Sequence, residues 1–223
     1  MICPFCDRQD SVLFVTAEQK FCGRIYPREY WKCTHCGYVY LHPDQRLNFA
    51  EEKLRYDRHQ NDPTDKRYLR YLNHLWQPLE NFLDFSDKTI RGLDFGCGPT
   101  KGLQVLVDNL SEKVQVDSYD PIYYPTQLDK EYDFLFLSEV VEHFYHPQEV
   151  FGDLLQRLLP RGLVAISTEV NEYTAEEFIH WKYRHDMTHV GFWSPGTIDY
   201  FCKRYELDIL HRSGRCLVLR GAK

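Results

Sequence analysis

The sequence contains no apolar run approaching the roughly 18 residues that a membrane-crossing helix needs. Its longest pure run is near Phe134-Leu135-Phe136-Leu137, so a soluble chain without membrane contact is expected. Met1-Ile2-Cys3-Pro4-Phe5-Cys6-Asp7 carries neither the basic start nor the apolar stretch of a secretory signal, which predicts a cytoplasmic location and reduced cysteines. Internal repeats and low-complexity tracts are absent, and no Gly/Ser linker divides the chain, so its parts are expected to pack together. Basic charge is scarce as well. The 27 Lys+Arg face 33 Asp+Glu for a net charge of −6, with 6 basic and 5 acidic residues in 1–50, 8 and 8 in 51–92, and 13 and 20 in 93–223. A protein that grips a phosphate backbone draws most of its affinity from a Lys/Arg stripe, and no segment supplies one. What is present, 43 % hydrophobic and 27 % charged residues over 223 positions, excludes disorder and suits one sizeable domain or one domain with a small appendage.

The eight cysteines are unevenly spread. Cys3 and Cys6 form one C-x-x-C and Cys33 and Cys36 a second. Each pair supplies two thiolates from one tight turn, and two such turns complete the tetrahedron that Zn²⁺ requires. Gly37, just after the last cysteine, suits the left-handed conformation of a knuckle. The intervening segment is longer than usual but holds two strand-like runs, Val12-Leu13-Phe14-Val15 and Tyr30-Trp31-Lys32. A zinc ribbon is therefore expected within residues 1–48, with Cys3, Cys6, Cys33 and Cys36 as ligands. Four thiolates leave no open coordination position, so the metal is structural, and the neighbouring His35 and His42 are not needed. A redox dithiol is disfavoured because no βαβ pattern accompanies the motif. Cys22, Cys97, Cys202 and Cys216 lack a partner and are expected to be buried small hydrophobes.

From about residue 49 the pattern turns helical, with Asp62 as N-cap, Pro63 at the first position, and Tyr68, Leu72, Leu75, Leu79 and Phe82 on one face; Pro78 should kink this helix. Chemistry begins at Leu93-Asp94-Phe95-Gly96-Cys97-Gly98-Pro99-Thr100-Lys101-Gly102, a short strand running into a glycine-rich turn ahead of the helical Leu103–Val107. Small residues there allow a ligand close to the backbone. A second strand, 114–119, closes on Asp120, an acid placed to accept the ribose hydroxyls of a nucleoside-type cofactor. A third strand, 132–138, runs into Glu139-Val140-Val141-Glu142-His143, and a fourth, 163–167, follows a helical stretch 148–159 and the turn Pro160-Arg161-Gly162. Alternating strands and helices predict an α/β fold with a parallel sheet. Ser194 reads as the N-cap of a later helix with Ile198, Phe201, Cys202 and Tyr205 inward.

Asp94-Phe95-Gly96-Cys97-Gly98, Asp120, Ser138-Glu139-Val140-Val141-Glu142-His143 and Leu158-Leu159-Pro160-Arg161-Gly162-Leu163 resemble the motifs of class I S-adenosylmethionine-dependent methyltransferases. The resemblance covers about residues 49–223. It is nearest to the ubiquinone-methylase-like group, especially uncharacterised bacterial members with an N-terminal C-x-x-C pair, whose segments Tyr56–Pro63 and Trp181–Val190 also resemble. It implies a Rossmann-like seven-stranded sheet ending in an antiparallel hairpin, here 206–211 and 216–220, and S-adenosylmethionine as cofactor. It further implies cofactor contacts at Asp94, Gly96, Cys97, Gly98, Asp120, Pro121, Ser138 and Glu139. Two departures stand out: the family's third glycine falls at Thr100, and too few residues separate Asp120 from Tyr132 for the usual helix and third strand. The sheet is expected to be abbreviated, with Pro121, Ile122 and Tyr123 replacing the lost adenine contacts. The expected division is a ribbon at 1–48, a helical lid or linker at 49–91, and the cofactor-binding domain at 92–223.

Transfer from a sulfonium is an in-line displacement that requires collinear positioning, and a base only where the acceptor must lose a proton. His189 is the first candidate, followed by His143 and Glu139; His185 also has a suitable intrinsic pKa. Trp181, Tyr183, Phe192 and Trp193 offer either an aromatic wall for a planar acceptor or ordinary core. The leading reading is O- or C-methylation of a small molecule. The alternatives are an RNA methyltransferase docking through its ribbon, a non-catalytic binding protein on the same fold and, more distantly, a nicotinamide dehydrogenase. The sequence sets no oligomeric state.

Overall fold

The computed structural model describes residues 1–58, 61–86 and 89–221. His59 and Gln60, part of the Tyr56–Pro63 resemblance, lie outside them. In chain order the elements are β1 (Ser11–Phe21), β2 (Arg24–Cys33), β3 (Val39–Leu41), α1 (Phe49–Tyr56), α2 (Lys66–Glu80), β4 (Ile90–Phe95), α3 (Gly102–Asp108), β5 (Val114–Tyr119), β6 (Tyr132–Ser138), α4 (Pro147–Leu155), β7 (Leu158–Ser167), α5 (Ala175–His180), β8 (Gly191–Phe192), α6 (Pro195–Tyr205), β9 (Leu207–Ser213) and β10 (Cys216–Gly221). Contacts divide the chain into two units. The first comprises 1–59, 141–151 and 169–201, and the second 60–140, 152–168 and 202–223. Both units are discontinuous in sequence.

The first unit is built on an antiparallel sheet of order β1-β2-β3-β8. The hairpin strands are longer than the apolar runs that announced them, because their extensions carry polar exposed residues such as Thr16, Glu18, Lys20 and Arg24. The turn between them is Cys22-Gly23, both at positive φ (47° and 80°), as a two-residue hairpin loop requires. Cys22 is consequently exposed, against the expectation of burial. Tyr30, Val39, Leu41, Phe178, Tyr183, Val190 and Phe192 form one core, so most of the expected aromatic wall is interior packing. Phe5, inside the first C-x-x-C, stands 4.8 Å from Tyr38 and 5.2 Å from Trp193 by ring centroid, joining the ribbon to the later segments of the same unit. Gly191 is obligatory where β8 meets β3, since a Cβ there would lie 1.6 Å from the Tyr38 hydroxyl.

The second unit carries a six-stranded sheet of order β5-β4-β6-β7-β10-β9. β5, β4, β6 and β7 are parallel, and β10 pairs antiparallel with both β7 and β9. Between Tyr119 and Tyr132 the chain forms only a bridge, Asp120 to Tyr124, so the sheet lacks a strand there, as the short spacing requires. Leu72, Leu75, Trp76 and Leu79 of α2 pack with Leu103, Leu106 and Val107 of α3 and with Phe134, Phe136, Ala165 and Val218 of the sheet. The N-cap of α2 is Asp65, not Asp62; Asp65 Oδ1 accepts from Arg67 N at 2.8 Å, and Pro78 lies in the last turn. α4 ends at Leu155, earlier than expected, and Leu158 to Gly162 belong to β7. There Tyr132 pairs with Leu158 and Phe134 with Leu163, a register shift that absorbs Pro160-Arg161-Gly162 inside the strand. Among the described residues no helix is long and apolar enough to cross a membrane.

Candidate functional site

In the second unit β4 ends beside Asp94 and turns through Gly96 and Gly98, at φ of 80° and 63°. Gly96 N and Cys97 N both donate to the Tyr119 carbonyl, at 2.8 and 3.0 Å, which ties the turn to the end of β5. A Cβ at Gly96 would lie 2.4 Å from Val140 Cγ2, whereas one at Gly98 meets nothing within 4 Å. The turn is therefore packed on one side and open at Gly98, where a ligand can approach the backbone. Asp120 caps the arrangement. Its Oδ2 accepts from Gly98 N at 3.1 Å and its Oδ1 from Ile122 N and Tyr123 N at 2.9 and 3.1 Å. A carboxylate offers about four acceptor positions, so three backbone bonds leave one for a ribose hydroxyl. Tyr124 donates to the Pro99 carbonyl at 2.9 Å, and Lys101 Nζ lies 4.0 Å from the Tyr124 ring centroid. The short loop in place of the missing strand is thus fastened to the glycine turn, bringing Pro121 beside it in sequence and leaving this set fit for a nucleoside-type cofactor.

Burial, and then the charge of Asp120, push the Asp94 carboxyl up to about 7. Burial, followed by Asp94 and Asp120, pushes the Cys97 thiol up to about 12, so Cys97 is a space-filling thiol and not a nucleophile. At the end of β6, Glu139 adopts φ 51°, a left-handed conformation uncommon outside glycine. Its N donates to the Ser167 carbonyl at 2.9 Å, the Ser167 hydroxyl donates to its Oε1 at 3.0 Å, and Arg215 Nη2 stands 3.6 Å from its Oε2. Ser138 pairs with Ser167 across β6 and β7. Arg215 carried no sequence signal, since only the β9–β10 hairpin brings it here.

In the first unit the four knuckle cysteines converge. Cys3 Sγ lies 3.7 Å from Cys36 Sγ and Cys6 Sγ 3.6 Å from Cys33 Sγ, and all four sulfurs fall within 4.8 Å of one another. A tetrahedral zinc with bonds of about 2.3 Å separates its sulfurs by about 3.75 Å, so the cage fits that ion. The knuckles are built alike. Asp7 follows Cys6 at φ 59° as Gly37 follows Cys36 at φ 73°, and Asp7 N donates to the Cys3 carbonyl as Gly37 N does to that of Cys33, both at 2.9 Å. His35 and His42 are outside the cluster.

The histidine candidates also fall in this unit. His143 lies in a 3-10 turn, Val141–His143, and His189 in the segment before β8. Val190 N donates to the Glu142 carbonyl at 2.9 Å, drawing His189 to that turn. Burial first, and His143 second, lower the His189 pKa to about 3, so its ring is neutral at working pH. His185 is exposed, with Nε2 3.2 Å from the Ile179 carbonyl, and does not join them.

A parallel sheet carrying a glycine turn after its first strand and an acid at the end of its second marks a fold suited to a nucleoside-type cofactor. Residues 66–212 match the family described as "Methyltransferase domain", and the chain belongs to that family. No curated protein matches the sequence. Among solved structures it is similar to the N-methyltransferase NodS from Bradyrhizobium japonicum WM9 in complex with S-adenosyl-L-homocysteine, at 11 % identity and TM-score 0.48 over 79 % of this chain and 100 % of that one. It is likewise similar to an O-methyltransferase family protein from Burkholderia thailandensis (14 %, 0.48, 76 % and 62 %) and to the plantazolicin methyltransferase BpumL (18 %, 0.43, 71 % and 72 %). The chain spans less than two thirds of the length of several structures it matches.

Proposed function

We propose that this protein transfers a methyl group from S-adenosylmethionine to an oxygen or carbon of a small-molecule acceptor, as a cytoplasmic member of the ubiquinone-methylase-like group. The observation that carries this reading is the glycine turn open at Gly98, with Asp120 beside it retaining one acceptor position. When bound, S-adenosylmethionine supplies a methyl carbon already activated by its sulfonium. The chain's task is then positional. Gly96, Cys97 and Gly98 admit the cofactor against backbone, Asp94 and Pro121 line that turn, and Asp120 accepts a ribose hydroxyl. Ser138 and Glu139 end β6, at the edge where open α/β sheets carry their ligands. The Glu139 carboxylate, held by Ser167 and Arg215, is the proton-accepting candidate within the second unit. His143 and His189 are the other two, and the weak basicity of His189 ranks it last, a reversal of the sequence-based order.

Zinc held by Cys3, Cys6, Cys33 and Cys36 has a structural role in this reading, supported by sulfur spacings of 3.6 and 3.7 Å. In functional terms residues 1–48 are the ribbon, 49–91 a helical lid or linker, and 92–223 the cofactor-binding domain. The acidic balance of residues 93–223 favours a small acceptor over nucleic acid. The test is a panel of phenols, catechols and activated-carbon acceptors incubated with S-adenosylmethionine, with S-adenosylhomocysteine release as readout. At least one should give acceptor-dependent release and RNA none; methylation of RNA alone would overturn the acceptor class.

A further inference from the structure

We propose that Glu142, His143 and His189 form a binding site for one divalent first-row transition cation, distinct from the cysteine cage; with the cation bound, neither histidine serves as a proton acceptor for methyl transfer. Glu142 Oε1 lies 3.9 Å from His143 Nε2 and 3.9 Å from His189 Nε2, and the three ligand atoms fall within 4.8 Å of one another. At 3.9 Å neither ring hydrogen-bonds that oxygen directly. A cation about 2.1 Å from each of three ligands sets them about 3.0 to 3.5 Å apart, which closes the two 3.9 Å separations by about 0.4 to 0.9 Å through side-chain rotation.

The ring orientations suit ligation. His143 Nδ1 lies 3.0 Å from the Thr188 carbonyl and His189 Nδ1 2.7 Å from the Tyr183 carbonyl. A carbonyl only accepts, so each Nδ1 is the protonated nitrogen and each Nε2 presents its lone pair toward Glu142. Metal-bound histidines are commonly oriented this way, by donating the second ring nitrogen to a carbonyl. The rings meet at a centroid distance of 4.8 Å and an angle of 70°, flanked by Tyr56 at 5.4 Å from His143 and Tyr183 at 4.2 Å from His189. The Glu142 side chain is fully buried, and those of His143 and His189 are 12 % and 10 % exposed, so the pocket is enclosed but reachable.

Two imidazoles and one carboxylate form a borderline donor set that suits Zn²⁺, Mn²⁺, Fe²⁺ or Co²⁺ and leaves coordination positions for water or another oxygen ligand. Four thiolates take Zn²⁺ and reject Mn²⁺, so Mn²⁺ reports on the histidine site alone.

The experiment titrates Mn²⁺ into full-length protein dialysed against a weak chelator that leaves the cysteine cage loaded, following free Mn²⁺ by electron paramagnetic resonance. Saturation at about one Mn²⁺ per chain is expected, with electron spin-echo modulation from imidazole nitrogen. Glu142→Gln and His189→Ala should each weaken binding about tenfold or more, with zinc content and circular dichroism unchanged. The proposal is overturned by an absence of saturable binding in folded wild type, by binding that neither substitution alters, or by bound Mn²⁺ without nitrogen modulation. Should either variant fail to fold, nitrogen modulation in wild type decides.

Discussion

In the first unit the chemistry-bearing groups are thiols, imidazoles and a carboxylate gathered from distant stretches: Cys3 and Cys6 meet Cys33 and Cys36, and Glu142 and His143 meet His189. In the second the corresponding region is one turn, Gly96 to Gly98, whose backbone N–H groups donate to the Tyr119 carbonyl and the Asp120 carboxylate. One unit presents side-chain donors spaced to hold an ion. The other relies on the absence of side chains in a backbone turn carried by a parallel sheet. Removing a ligand should therefore unfold the first, whereas adding atoms or charge should disturb the second.

The largest effect is expected from Cys33→Ser. Structural zinc sites contribute on the order of 10 kcal/mol to folding, so this variant should lose its metal by elemental analysis and melt the first unit. Because Phe5 stacks near Tyr38 and Trp193, hydrogen exchange should spread beyond residues 1–48 into 169–201; loss confined to the ribbon would break the comparison. Next comes Asp94→Asn. Asp94 ionises with a folded pKa of about 7, above its ordinary 3.8, so its ionised form is penalised only in the native state. The penalty is absent below about pH 4, grows as pH rises to about 7 and is complete above that. The variant should therefore gain stability over wild type with rising pH, up to about 4 kcal/mol, in denaturant titrations at pH 5 and 8. A pH-independent difference would contradict this.

A smaller loss, about 1–3 kcal/mol, is expected for Gly92→Ala, whose Cβ would lie 2.0 Å from the Phe134 ring in the β4–β6 contact. Thermal melting should register it without any change in zinc content. The smallest is Ser194→Ala. Thr197 N donates to Ser194 Oγ and Ser194 N to Thr197 Oγ1, each at 3.2 Å, so a loss of about 1 kcal/mol measures the cap of α6.

Much of this comparison was legible before any coordinates. The C-x-x-C pairs, the glycine turn and Asp120 follow from local spacing, because each depends on residues near one another in sequence, whereas the closing hairpin and the missing strand were expected from the family resemblance. What was not legible depends on register or on long-range pairing. The bulge that keeps Pro160-Arg161-Gly162 inside β7 answers to β6, and the exposure of Cys22 to its place in the two-residue turn of the β1–β2 hairpin. The approach of Glu142 to His189 is set by long-range pairing, Val190 N to the Glu142 carbonyl and His143 to the Thr188 carbonyl, which no local spacing announces. Asp120 was legible as an acid at a strand end, but not as the acceptor of three backbone N–H groups that fasten the loop.

The central claim is that the second unit binds S-adenosylmethionine through the open turn and Asp120. Isothermal titration calorimetry of the purified chain with S-adenosylhomocysteine and S-adenosylmethionine tests it most directly, with NADH as control. One site per chain for both sulfur cofactors, none for NADH, and binding weakened at least about tenfold in Asp120→Ala are expected, the last corresponding to loss of about 1.4 kcal/mol. Absence of binding by either sulfur cofactor to folded, zinc-loaded protein would contradict the account.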